Sequence, residues 1–173
     1  MELEGGSAMK NVSLTGFFCI TCLCSSSAFA SGKIYYGSRA GMTVTVVSIE
    51  GLGTAHAVIR TKHTREDAIG FCRDYVQKVA PSCIDEELAI PLNDVISANC
   101  LKGEFVGFSG NHYRFEGKIR KQSDDMMAKY IIRDLSNGEV ADGSSASGYP
   151  TNMGIFRALC DEARSIAGRQ RGS

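Results

Sequence analysis

The chain has 173 residues, of which 43% are hydrophobic and 22% charged, with 19 basic and 19 acidic side chains and seven cysteines. That length is one ordinary domain, and the composition excludes wholesale disorder and collagen-like repetition. Zero net charge supplies no global field for nucleic acid or for cationic partners, and an odd cysteine count fits no closed disulfide framework.

The chain opens on what reads as a targeting segment. An uncharged run from Val12 to Leu23 precedes Ser25-Ser26-Ser27-Ala28-Phe29-Ala30-Ser31. Ala28-x-Ala30 is the small-residue pattern of signal-peptidase cleavage, so the cut is expected after Ala30. Glu2 and Glu4 do not suit the basic start of a signal, whereas Met9-Lys10-Asn11 does. Residues 1–8 therefore read as an extension upstream of the true start. An uncleaved anchor is disfavoured because Thr21 and the serines dilute the second half of the run. Lipidation is disfavoured because Phe18, Thr21 and Leu23 stand where a small residue should precede Cys19, Cys22 or Cys24. The expectation is a protein of the periplasm or the secreted fraction, with no stable membrane insertion after cleavage. Residues 31–168 then form one domain, and residues 169–173 a flexible tail.

Cleavage changes the arithmetic. It leaves 143 residues with 18 basic and 17 acidic side chains, a net charge of +1. Cys19, Cys22 and Cys24 depart, and Cys72, Cys83, Cys100 and Cys160 remain. An even set in a chain bound for an oxidising compartment reads as a disulfide framework.

Met42 to Glu50, rich in β-branched residues and bounded by Gly41 and Gly51, predicts a strand. Gly51-Leu52-Gly53 turns it into a partner over Ala55 to Thr61. Thr64 is placed as the N-cap of a helix whose first turn carries Glu66 and Asp67. Its apolar face runs through Ala68, Ile69, Cys72, Val76 and Val79, and Pro81 ends it. Ser82 is expected to cap a short second helix through Leu88, closed by Pro91. Asp94 to Leu101 and Glu104 to Phe108 are short strands around Gly103. Ser109-Gly110-Asn111 then turns into His112 to Lys118, which alternates like a half-buried antiparallel strand. Ala128 to Asp134 is another strand, followed by the Asn137-Gly138 turn. Asn152 to Ala167 predicts a helix with Ile155, Phe156, Leu159, Cys160, Ala163 and Ile166 on one face. The fold class is α+β: a small antiparallel sheet or partial barrel packed with a helical pair and a C-terminal helix, stapled by disulfides.

Four cysteines allow three pairings, and sequence does not choose among them. The pairing expected is Cys72–Cys83, a local staple between the helices, and Cys100–Cys160, which pins the last helix to the sheet. A redox or zinc role is disfavoured because the mature chain has no C-x-x-C and no zinc-ligand spacing.

The candidate chemistry is sparse. His56, His63 and His112 are not spaced as ligands on one helix, and His56 with His63 and a carboxylate is a minor metal reading. Asp124-Asp125 reads as a solvated turn. Arg157, Arg164, Arg169 and Arg171 are too spread for a nucleic-acid surface. The loop Asp142-Gly143-Ser144-Ser145-Ala146-Ser147-Gly148-Tyr149 is the most distinctive stretch. Its glycines and serines can form a polar rim, which makes Asp142, Ser144, Ser145, Ser147 and Tyr149 the candidate ligand-binding residues. A nucleophile elbow G-x-S-x-G fails there because Ser147 stands where the second glycine belongs. The bland alternative is a tight surface connection. The aromatics Tyr35, Tyr36, Phe105, Phe108, Tyr113, Phe115 and Tyr149 suit a core first and a sugar or peptide groove second.

The strings Ile34-Tyr-Tyr-Gly-Ser-Arg-Ala-Gly-Met42, Phe71-Cys-Arg-Asp-Tyr75 and Ala141-Asp-Gly-Ser-Ser-Ala-Ser-Gly-Tyr149 resemble those of a group of small exported alphaproteobacterial proteins. The resemblance spans most of the mature chain, implies placement at the bacterial envelope, and carries over no catalytic residue. The functional expectation is a non-enzymatic binding module with no cofactor and no metal. Its partner would be an envelope or extracellular protein or a glycan, and not nucleic acid. The alternative is a small envelope hydrolase using the 142–149 loop with a histidine. N-terminal sequencing of the exported protein is expected to begin at Ser31, and a blocked or lipid-bearing first residue would overturn the cleavage assignment.

Overall fold

The structure, a computed structural model, describes residues 32–118, 129–141, 143–144 and 146–170, with residues 161–170 as backbone alone. The cleavage pattern, Asp124-Asp125, Asp142, Ser145 and the side chains of Ala163 and Ile166 lie outside the described residues. The described elements, in chain order, are β1 (Lys33–Tyr35), β2 (Thr43–Glu50), β3 (Ala57–Lys62), α1 (Arg65–Asp74), α2 (Pro81–Leu88), β4 (Val95–Asn99), β5 (Glu104–Val106), β6 (His112–Lys118), β7 (Tyr130–Asp134) and α3 (Tyr149–Gln170). The seven strands form one antiparallel meander in sequence order, β1 through β7. This is the small α+β domain indicated by the sequence: a curled antiparallel half-barrel, a helical pair and a C-terminal helix, with two disulfides.

Two bulges supply the curl. On β2 the register passes from Val46↔Thr61 to Ser48↔Arg60, leaving Val47 extra and exposed. The bulge breaks strict alternation, so Val44, Val46 and Ile49 all turn toward the core. On β6 the register skips Glu116 between Phe115↔Ile132 and Gly117↔Ile131. Each bulge bends its strand and increases the local twist. Glu116 accepts two hydrogen bonds from Arg133 across the pair, at 2.7 and 2.9 Å.

The concave face is filled by α3. Ile59, Ile96, Phe105 and Ile132 of the sheet pack with Ile155, Phe156 and Leu159 of the helix in one core. Phe156 stacks on Phe115 at 4.4 Å between ring centroids and tilts against Phe105 at 5.5 Å. The β2–β3 turn is tied down as well, because the Gly53 N–H donates to the Leu159 carbonyl at 2.8 Å. Cys100–Cys160 makes the attachment covalent.

The helical pair forms a second, smaller cluster of Ala68, Phe71, Cys72 and Ile84. Thr64 caps α1 as its sequence signals, in a full capping box with Asp67. The rest of the pair departs from expectation. The helix does not run to Pro81: α1 stops at Asp74, and the chain leaves through Gln77 at φ +59°. Lys78 N–H then donates to the Cys72 carbonyl at 3.0 Å, and Val76 and Val79 are exposed rather than buried. The cause is geometric. A continuous helix would separate Cys72 from Cys83 by about 16 Å, whereas their Cα atoms lie 6.2 Å apart in the disulfide. Pro81 does not terminate α1 but opens α2 at its first turn, and Ala80, not Ser82, occupies the N-cap.

The Cys100–Cys160 bond spans 60 residues and Cys72–Cys83 spans 11. In the chain-entropy model they stabilise by about 4 and about 3 kcal/mol, respectively. Replacing Cys100 and Cys160 together by alanine is expected to lower urea stability by more than the Cys72/Cys83 double replacement does. Equal losses from the two pairs would contradict this ordering.

Candidate functional site

Three connections meet at one end of the sheet and enclose a groove of about 650 Å³. The β1–β2 connection contributes Tyr36, Ser38, Arg39 and Met42; the stretch after α2 contributes Ile90, Pro91 and Leu92; Phe108, Ser109 and Tyr113 come from the β5–β6 hairpin. The fourth wall is the end of the serine-rich loop, Ala146 to Gly148, running into Thr151, Asn152 and Ile155 of α3. The size and the mainly apolar walls with a few polar groups are those of a ligand groove.

Local chemistry explains each wall. Gly41 has φ +77°, and a Cβ there would lie 2.6 Å from the Phe71 Cα. Glycine thus lets α1 press against the β1–β2 connection, and Arg39 reaches over the Tyr75 ring at 4.8 Å. In the serine loop, Ser147 N–H donates to Ser144 Oγ at 3.3 Å and Ser147 Oγ donates to the Ser144 carbonyl at 2.8 Å. Gly148, at φ +70°, presents its carbonyl to Asn152 N–H at 3.0 Å and starts α3.

Asn152 is the most informative residue of the groove. It is 8% exposed, its amide lies between the backbones of Gly107 and Gly148, and it lines the groove. Its side chain makes no hydrogen bond among the described residues, and its amide atoms are not sealed from solvent but open into the groove. A carboxamide in that position offers both a donor and an acceptor to whatever enters.

The structure therefore brings Ser147 together with Tyr36, Phe108 and Tyr113, and places the other described residues of the predicted set elsewhere, Asp142 and Ser145 lying outside the described residues. Ser144 props Ser147 and does not line the groove. Tyr149 is buried, and its hydroxyl accepts a hydrogen bond from Tyr130 N–H at 3.2 Å, tying β7 to α3. Phe105 and Phe115 are packed against α3, and Tyr35 is exposed on β1. Sequence reasoning did not select Asn152, Arg39, Ser38 or Met42. The string Tyr36 to Met42 carried the only signal for three of them.

The histidines do not assemble. His56 and His63 sit at opposite ends of β3, roughly 20 Å apart along a strand, and His112 is exposed on β6. Among the described residues no group of three or more His, Cys, Asp or Glu side chains could hold a metal. No described helix is long and apolar enough to cross a membrane. The chain matches no protein-family model, no curated protein and no solved structure.

Behind the groove lies a buried polar cluster. The Tyr36 ring meets the His63 ring edge-on at 5.4 Å, and its hydroxyl is buried without a partner. His63 Nε2 is 3.9 Å from Glu87 Oε1, too far for a hydrogen bond. Burial lowers the His63 pKa against the opposing pull of Asp67, and burial raises that of Glu87. A raised Glu87 contributes stability that is complete below its unfolded pKa and is lost as pH rises through the folded value. A lowered His63 does the reverse, losing stability as pH falls below the ordinary imidazole range. Glu87→Gln is therefore expected to gain urea stability over the parent at about pH 8 and to gain less at about pH 5. A larger gain at the acid pH would contradict the assignment.

Proposed function

We propose that this chain is an exported, non-enzymatic binding module of the bacterial cell envelope, and that it takes an envelope or extracellular protein or a glycan in the groove beneath Ser147. The reading rests on one observation above others: a carboxamide, Asn152, with no intramolecular hydrogen bond among the described residues, open to the wall of a groove of ligand size. The cleavage pattern after Ala30 supports export. The two disulfides suit an oxidising compartment. Tyr36, Phe108 and Tyr113 provide apolar and aromatic surface, and Arg39 and the Ser38 and Ser147 hydroxyls provide a polar rim.

Hydrolysis is the weaker reading. A serine nucleophile hands its proton to a base, whereas Ser147 Oγ donates to a backbone carbonyl. Alanine at Ser144, Ser145 and Ser147 together would abolish a hydrolase and only weaken a binder.

The test is a glycan array, a peptidoglycan pull-down and an envelope-protein capture with the oxidised mature domain, run beside Asn152→Ala. The variant is expected to fold as well as the parent, since alanine favours the helix, and to weaken any specific binding up to about tenfold. Binding indifferent to Asn152→Ala would exclude this groove, and the absence of any ligand would remove the main support for a binding module.

A further inference from the structure

A second groove of about 470 Å³ continues from the first, sharing Gly37, Ser38 and Thr151 with it. One wall is β1, and the other is the face of α3 carrying Pro150, Thr151, Gly154 and Ala158. Among the described residues β1 pairs only with β2, which places it at the edge of the sheet. The bonds flanking it fix which way its backbone faces. Gly32 carbonyl accepts from Val46 N–H at 2.9 Å, and Tyr36 N–H donates to the Met42 carbonyl at 3.0 Å. In an antiparallel ladder the hydrogen-bonded pairs alternate, so Ile34 also bonds to β2 while Lys33 and Tyr35 turn their N–H and C=O groups outward. Those groups face the groove edge without a partner among the described residues.

Such an edge is normally guarded, and lysine is a common guard. Here the Lys33 ammonium is drawn to Asp67 at 2.7 Å. The opposite wall is kept low by small residues: a Cβ on Gly154 would meet nothing within 4 Å. The strand-to-helix trough is thus open to a main chain, with room for side chains over Gly154. Charge defines the occupant further. Among the described residues that line the two grooves, Lys33 and Arg39 are the charged ones, and none is a carboxylate. Lys33 is matched by Asp67, whereas Arg39 has no ion pair among the described residues and lines the wider groove, as does Asn152.

We infer that the trough binds an extended peptide segment of a partner protein. The segment adds as a strand to the open edge of β1 and places a carboxylate, terminal or side-chain, at Arg39 in the adjoining groove. The inference deepens the binding-module reading by naming a protein rather than a glycan as partner.

The probe is a fluorescein-labelled short peptide of alternating valine and threonine ending in a free glutamate, titrated against the oxidised mature domain by anisotropy. Saturable binding is expected, weakened by about tenfold or more when alternate amides of the probe are methylated or its acidic end is replaced by lysine amide. Gly154→Leu fills the trough from a position with free space and favours the helix, so it is expected to abolish binding without lowering the melting temperature. Residue-resolved hydrogen exchange separates strand addition from mere adhesion: the Lys33 and Tyr35 amides should become protected with probe, while Ile34 and Tyr36, already bonded to β2, should not change. No saturable binding, or binding unmoved by amide methylation, would overturn the proposal. So would concentration-dependent dimerisation that protects Lys33 and Tyr35 without probe, which would assign the edge to a second copy. A glycan that binds and is lost with Asn152→Ala but not with Gly154→Leu would overturn the peptide and leave the wider groove standing.

Discussion

The arrangement around both grooves depends on a single buried charge. Asp67 is fully buried, and its carboxylate takes the Lys33 ammonium at 2.7 Å, the Thr45 hydroxyl at 3.0 Å, and both the N–H and the hydroxyl of Thr64. Burial alone would raise its pKa; the donors from Lys33, Thr64 and Thr45 outweigh it, and the net direction is down. Isolating a charge from water costs several kcal/mol, so the group persists only because three separate elements aim donors at it. The consequence is architectural. One carboxylate fixes the start of α1, holds that helix against β2, and recruits β1 through Lys33. Without that tether, a strand of three residues at the edge of a sheet has little to keep it in place.

The second constraint is the position of α3. Sheet curl, set by the extra residues Val47 and Glu116, makes a concave face that a straight helix can fill. The aromatic stack of Phe115 on Phe156 and the Cys100–Cys160 bond then fix how deep the helix lies. That depth decides both grooves, because the first turns of α3 supply Thr151, Asn152 and Ile155 to one and Gly154 and Ala158 to the other. The serine-rich loop delivers the chain to the helix at Gly148, and of its described serines Ser147 is the one that lines the wider groove.

How much of this was legible follows the range of the interactions. Strands with dense β-branched or alternating sequence, Thr43–Glu50 and His112–Lys118, were readable because local pattern and tertiary burial agree there. The Thr64 cap was readable because it is satisfied within one turn. β1 was not, since Lys-Ile-Tyr has no pattern of its own and is held by Asp67 from a distant helix. The early end of α1 was hidden for a related reason. Val76 and Val79 keep helical spacing, but the disulfide to Cys83 demands a reversal that periodicity cannot express. The bulges at Val47 and Glu116 leave no mark on an alternating string, because each becomes visible only against its partner strand. Asn152 read as a polar residue at a helix start; its value lies in what surrounds it, and that is set by Gly107 and Gly148 from two other segments.

The buried cluster behind the wider groove bears on the sign of the field within it. Burial drives His63 and Glu87 each toward its uncharged form, and Lys33 is compensated by Asp67. Among the described residues that line the two grooves, Arg39 is the charged side chain without an ion pair. A guanidinium held over the Tyr75 ring is oriented without being neutralised. A chain of zero net charge thus presents a guanidinium beside an open strand edge, a pairing of features that net charge does not reveal.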